Sequence, residues 1–248
     1  MNAPVRKTTR LLMLLILMLA PLPDLLAEDG YRMWLRYVKV ASQEKLSDYR
    51  DQIRYVVAEG DSPTLLAARD ELERGLSGLL DRTPPFRDSV AASGGVLIGT
   101  PESSDGIASL DFEGRLRQIG DEGYLIEERE VDGETLLVIA ANEEIGVLYG
   151  VFHLLRLIQT EQPLHGIAVL SAPRVELRMA NHWDNLNRLV ERGYAGLSLW
   201  EWGTLPEYRH PRYTDYARFS ASIGINGVAI NFFNDTATTE IYTLSLHD

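Results

Sequence analysis

The sequence predicts an α/β protein: an N-terminal mixed α/β sandwich domain followed by the truncated start of a (β/α)8 TIM barrel. Three observations carry this. Strand-like and helix-like segments are mixed through the first two thirds of the chain. From Val175 an apolar, strand-like run to Met179 empties into the cluster Asn181, His182, Trp183, Asp184 and Asn185. Tyr213 to Ile223 then has a helical pattern, Gly224-Ile225-Asn226-Gly227 reads as a turn, and Val228 to Asn231 as a second buried strand. That is the β-loop-α-β unit with which such a barrel opens, and reacting groups in these barrels lie at the C-terminal ends of the strands, where residues 181–185 fall. A whole barrel takes roughly 250 residues, so residues 175–248 hold about two of its units and the chain is expected to be a fragment of a larger protein.

The elements follow in order. Arg6, Lys7 and Arg10 precede an apolar run from Leu11 to Ala20, then Pro21, Pro23 and the small residue Ala27. This is the pattern of a secretory signal peptide over residues 1–27, and the run is short for a membrane span, which needs about 20 residues. Periplasmic or extracellular location is the expectation. Tyr31 to Ala41 alternates apolar and charged residues and predicts a strand with one wet face; Asp51 to Glu59 predicts a second. Ser62 caps a helix with Pro63 in its first turn, carrying Leu65, Leu66, Leu72, Leu76 and Leu79. Pro84-Pro85 breaks the chain, and Gly94-Gly95 introduces the short buried strand Val96 to Gly99. Gly123 to Arg129 and Glu134 to Ala140 form a hairpin about Asp132-Gly133. Glu143 to Gln159 is a helix with Ile145, Leu148, Phe152, Leu155 and Ile158 on one face, whose Gly146-x-x-x-Gly150 predicts close packing rather than a membrane dimer. Gln162-Pro163 to Pro173 joins the two domains, expected to span residues 28–165 and 166–231.

Charge and composition narrow the chemistry. The net charge is −12; removing residues 1–27 takes away Arg6, Lys7, Arg10 and Asp24, a net +2, and leaves −14. Nucleic acid and anionic membrane surfaces are poor partners for such a chain. Cysteine is absent, which rules out a disulfide framework and thiolate metal sites. No His-Glu-x-x-His pattern is present, Ser103, Ser198 and Ser222 lack a nucleophile-elbow context, and Gly94-Gly95 has no Lys-Ser/Thr to make a phosphate loop. No metal or cofactor is expected. His153 reads as a packing residue on its helix face. Trp183, Trp200 and Trp202 supply flat apolar faces, and Asn181, His182, Asp184 and Asn185 supply hydrogen-bond partners for hydroxyls, as sugar recognition requires. The alternative is that the aromatics plug the barrel mouth, with His182 a satisfied residue behind them.

At these residues a resemblance enters. Ser171 to Leu186 and Val190 to Trp200 resemble the α-glucuronidases of glycoside hydrolase family 67. The likeness extends upstream through Glu28 to Tyr37 and Ile145 to Leu155, and downstream through Arg212 to Arg218 and Ser222 to Gly227. It implies an N-terminal α/β domain, a central catalytic (β/α)8 barrel and a helical C-terminal domain. It further implies removal of 4-O-methyl-glucuronic acid from xylo-oligosaccharides with inversion, by a glutamic general acid and a carboxylate pair that activates water. The catalytic carboxylates of the family come from later strands, so none is assigned within this chain, and the fragment is expected to be inactive. The resemblance implies that Trp183 is a wall of the uronic acid pocket, with His182, Asp184 and Asn185 around it. A uronate carboxylate also calls for a cation or an amide donor, and Arg192 is the expected local one.

The expected partners are xylan-derived aldouronic oligosaccharides, with no nucleic acid, no membrane after signal cleavage, and room for a homodimer of the full-length protein. Two other readings stay open: a non-catalytic truncated module that binds carbohydrate or a partner, and a retaining glycosidase sharing the same N-terminal domain. After Asn231 the sequence departs from the family pattern. Phe232 to Asp248 resembles a translated sequencing adapter and is expected to be non-native.

Overall fold

The computed structural model describes residues 29–191, 193–233 and 239–245, the backbone alone for residue 233 and residues 239–245. The expected signal peptide and Arg192 lie outside the described residues. Two units divide the chain at Trp34. In the first, Asp29 Oδ1 accepts the Tyr31 N–H at 2.9 Å and closes one turn.

The second unit, Leu35–Asp248, holds two sheets. Ser42 Oγ accepts the Lys45 N–H at 3.3 Å and caps α1 (Gln43–Gln52), after which β1 (Tyr55–Ala58) enters the sheet. Ser62 in the same way caps α2 (Pro63–Leu80). Then come β2 (Phe86–Arg87), β3 (Gly95–Gly99), the single turns α3 (Asp105–Ala108) and α4 (Glu113–Leu116), β4 (Tyr124–Val131) and β5 (Glu134–Ala141). Asp132 and Gly133 both sit at positive φ, 52° and 81°, the backbone a two-residue hairpin needs, and β4 and β5 pair antiparallel from Val131↔Glu134 to Tyr124↔Ala141. Finally α5 (Glu144–Gln159) crosses the sheet and β6 (Ala168–Ser171) completes it. The strand order is β2-β1-β3-β5-β4-β6, parallel except about β4.

Alternation along the strands divides the core into two layers. Val56, Val96, Ile98 and Ile139 face α1, α2 and α5, where Leu72, Leu76, Leu79, Val151 and Leu155 are buried. Val57, Leu97, Leu125 and Val138 face the other way, onto Ile107, Phe112 and Leu116. Gly146 and Gly150 set α5 against the sheet: a Cβ at Gly146 would lie 2.4 Å from the Gly123 carbonyl oxygen, and one at Gly150 2.5 Å from Ile139 Cγ2. Gly75 of α2 does the same for Leu155 of α5. The glycine pair therefore serves helix-on-sheet contact.

The second sheet is the barrel opening. β7 (Met179–Asp184) runs parallel to β8 (Gly227–Phe233), and α6 (Pro211–Ser222) crosses between them; β9 (Thr239–Ser245) returns antiparallel on β8. Ion pairs tie this sheet to the first. Glu71, 2 % exposed on α2, accepts the Arg218 Nε of α6 at 2.6 Å and its Nη2 at 3.0 Å, the Tyr37 hydroxyl at 2.5 Å and Arg74 Nη1 at 3.2 Å. Burial, then Glu71, raises the Tyr37 phenol. Burial lowers the Arg218 guanidinium, but its bonds to Glu71 and Asp215 outweigh that and raise it. Before β4, Glu122 accepts Asn226 Nδ2 at 2.9 Å and the guanidinium of Arg178, so the residues that precede β7 and β8 share one anchor.

Four expectations are corrected. Tyr31 to Ala41 forms no strand, since Met33 and Tyr37 lie at positive φ and Met33–Arg36 is a 3-10 turn. The first part of Asp51 to Glu59 is the end of capped α1. The apolar run from Val175 is exposed at Val175 and Leu177, and β7 starts only at Met179, where pairing with Gly227 of β8 begins. Residues 168–171, read as part of the joint and of the barrel opening, are the edge strand β6 of the first sheet.

Glu71→Ala strands the Arg218 guanidinium and the Tyr37 hydroxyl. Urea unfolding is expected to show a loss of about 3 kcal/mol, and the double variant Glu71→Met/Arg218→Met is expected to recover part of it. Gly150→Val, which overpacks the helix–sheet seam, is expected to cost roughly 1–3 kcal/mol in the same assay.

Candidate functional site

Because β7 extends through Asp184, Asn181 to Asp184 of the cluster expected after a strand lie within one, with Asn185 just past it, and alternation sorts their side chains by face. Ala180, His182 and Asp184 share the face of Val228 and Ile230, their partners in register, which are buried. Asn181 and Trp183 take the opposite face and are exposed, Trp183 at 47 %.

On the covered face, His182 Nε2 lies 2.7 Å from the Tyr216 hydroxyl of α6, and its ring meets those of Tyr216 and Trp200 edge-on at 5.3 and 6.0 Å. Trp200 packs in turn on Tyr213 and Trp202, and Trp202 on Phe232. These aromatics thus weld α6, β8 and the loop after β7 together on the helix-covered face of the sheet. Burial, only partly offset by Asp184, holds the His182 imidazole below its usual 6.5. His153, read as a packing residue, behaves likewise: its Nδ1 lies 2.8 Å from the Tyr124 hydroxyl, and burial followed by Arg156 lowers it.

Asp184 is 1 % exposed, with Oδ1 accepting the Asn185 N–H at 2.8 Å and Oδ2 the Ser198 hydroxyl. Asn185 donates to the carbonyls of Leu189 and Glu191 at 2.5 and 2.6 Å. The two residues expected beside the sugar therefore hold the loop. That loop folds back as a narrow hairpin, with Ser198 N–H to Arg188 O at 2.8 Å and Val190 N–H to Gly196 O at 3.0 Å, and docks on the strand by Glu191 N–H to Trp183 O at 2.9 Å. Arg188 and Glu191 accept positive φ there, 72° and 51°. Beyond it, the Glu201 carboxylate forms ion pairs with Arg188 Nη1 at 3.1 Å and Arg212 Nη2 at 2.9 Å.

A cleft of about 340 Å³ opens at this end of β7, lined by Asn181 to Asp184 and by Val190, Glu191, Ser198 and Leu199. An indole face beside amides suits a sugar ring. Among the described residues no group of His, Asp and Glu is arranged to hold a metal ion. Sequence reasoning missed Ser198, Tyr216, Glu201 and Asn231. The period-2 pattern, extended from Met179 to Asp184, separates the two faces; the loop partners carry no such signal.

The chain matches the profile described as glycosyl hydrolase family 67 N-terminus over residues 33–154 and that of the family 67 middle domain over residues 157–246. It is 32% identical over 240 residues to an alpha-glucuronidase of Hypocrea jecorina, covering 90% of this chain and 27% of that one. A probable alpha-glucuronidase A of Aspergillus oryzae is 30% identical over 214 residues, covering 86% and 25%. The chain thus spans about a quarter of the length of the curated relatives it matches. A solved family GH115 4-O-methyl-alpha-glucuronidase superposes with a TM-score of 0.50 at 18% identity, over 71% of this chain and 24% of that one, a likeness of fold.

With the folded pKa of His182 below 6.5, the unfolded chain binds more protons in the window just below 6.5. Stability is expected to rise with pH through that window and to fall on acidification. Urea unfolding between pH 7.5 and 5 checks this, and His182→Phe is expected to flatten part of the slope. Imidazole signals in NMR are expected to place the His182 midpoint under 6.5.

Proposed function

Since the chain belongs to glycosyl hydrolase family 67, we propose that it is the N-terminal part of an exported α-glucuronidase. That enzyme removes (4-O-methyl)-glucuronic acid from xylo-oligosaccharides with inversion, in xylan breakdown. The observation that carries the reading is Trp183: an exposed indole at the C-terminal end of the first barrel strand, beside an open cleft, in a chain whose relatives are named alpha-glucuronidases. In this proposal Trp183 stacks on the uronosyl ring. His182, Asp184 and Asn185 hold the wall behind it, and Arg192 is assigned the pairing with the uronate carboxylate.

The general acid and the water-activating carboxylates lie beyond residue 231 in this reading. Two nearby carboxylates support that placement by being spent elsewhere: Asp184 on Asn185 and Ser198, Glu201 on two arginines. An inverting pair needs a separation of about 6.5–9.5 Å with room for water, which a third and later strands would supply. The chain as given is therefore inactive. The same proposal takes residues 232–248 as non-native sequence, supported by β9: neighbours in a (β/α)8 barrel run parallel, whereas β9 covers the free edge of β8 in the opposite sense. Export rests on the charged and apolar pattern of residues 1–27. Among the described residues no helix is long and apolar enough to cross a membrane.

Purified full-length protein is expected to release glucuronic acid from aldouronic oligosaccharides, with the β-anomer appearing first by proton NMR, while residues 1–248 release none. Activity of the 248-residue chain sinks the placement of the carboxylates, and first appearance of the α-anomer favours a retaining enzyme. In the active protein, Trp183→Ala is expected to raise KM about tenfold with a smaller change in kcat. Resequencing the source DNA from the codon of Asn231 onward tests the tail. A genuine stop after Asp248 favours the second reading, a non-catalytic module that binds carbohydrate.

A further inference from the structure

Two amides on the open face of the barrel sheet are bonded to each other beside Trp183. Trp183 and Asn231 are direct partners in the parallel register of β7 and β8, and Asn181 lies two residues before Trp183, so all three side chains leave the same face. Asn231 Nδ2 donates to Asn181 Oδ1 across the strands. That single bond leaves both Asn181 Nδ2 hydrogens, the second Asn231 hydrogen and Asn231 Oδ1 without another hydrogen bond among the described residues. Asn181 is exposed and Asn231 half-buried, so these groups look into open space beside the indole.

The opposite face already carries the packing. Val228 and Ile230 are buried there, and His182 and Asp184 are bonded into α6 and the loop. A solvent-facing amide bridge adds little to that. What it does supply is a rigid, neutral array of adjacent donors and acceptors, each amide held in one orientation by the other. A pair of vicinal hydroxyls presents the complementary set, since every O–H both donates and accepts. A carboxylate, which only accepts, would leave the Asn231 oxygen facing another acceptor.

We propose that Asn181 and Asn231 form a bonded pair that reads the hydroxyls of the uronosyl ring seated on Trp183, and so set specificity. This rests on the glycosidase reading above. The pair acts on the hydroxyl edge of the sugar, while recognition of the carboxylate belongs to other groups.

The test uses the full-length protein and three substrates, a 4-O-methyl-glucuronosyl xylo-oligosaccharide and its analogues lacking the uronosyl 2- or 3-hydroxyl. Asn231→Ala and Asn181→Ala are each expected to lower kcat/KM about tenfold, the scale of one lost neutral hydrogen bond, with the melting temperature nearly unchanged. On one of the deoxy substrates the same substitutions are expected to lose less than twofold, because the partner hydroxyl is already gone; a bridge that merely staples two strands would lose as much on every substrate. Should a variant fold poorly, Asn231→Asp keeps the shape and removes the donor, and the same substrate comparison decides. An active wild type whose variants stay within twofold, or fall equally on all substrates, overturns the hydroxyl-reading pair alone. A wild type with no uronate release overturns the glycosidase reading and this pair with it.

Discussion

The carboxylate of Glu71 is the contact on which the join between the two sheets depends. Both its oxygens are engaged, by Arg218 of the barrel helix, by Tyr37 from the chain before α1 and by Arg74 of its own helix. Out of water, an ionised carboxylate without such partners is costly, so the pair is maintained only when α2 and α6 are in register. Fork-to-fork geometry adds direction to that requirement, since a guanidinium reaches both oxygens in a narrow range of angles. Glu122 repeats the device lower down, where Arg178 and Asn226 meet it just before β7 and β8 begin.

With flank and base fixed, the C-terminal ends of β7 and β8 are free to vary. The two faces of β7 divide the labour. Toward α6 the residues are consumed by structure: His182 on Tyr216, Asp184 on Ser198, and the Trp200 and Trp202 rings filling the space between helix and strand. Away from α6, Trp183, Asn181 and Asn231 face outward. A loop held at many points, with non-glycine residues at positive φ, can keep the exposed indole in one place because its strain is offset by the bonds of Asn185 and Asp184.

Local signals wrote most of the fold. The Ser62-Pro63 cap, the Asp132-Gly133 hairpin, the glycines of α5 and the strand after Gly227 are each decided within a few residues, and the structure has all of them. Where the reading of 31–41 and 175–179 went astray, the alternation or apolar run was real but the decisive event was elsewhere: left-handed residues in the first, the start of pairing with β8 in the second. The Glu71–Arg218 pair spans 147 positions and leaves no trace in local periodicity. At the candidate site the residue types in 181–185 were legible; their faces were not, because that depends on how far the strand runs. Ser198 and Tyr216 became visible only once the loop and α6 were in place.

The anchors under the barrel have a direction in time. Glu71 and Glu122 precede every residue of the second sheet, and the first sheet is complete at Ser171, before β7 begins. A chain leaving the ribosome at about 5–20 residues per second presents its early domains first. The opening strands of the barrel therefore emerge onto a finished ledge with two carboxylates already waiting, so that an incomplete barrel is tethered by its foot from the moment its first strand appears.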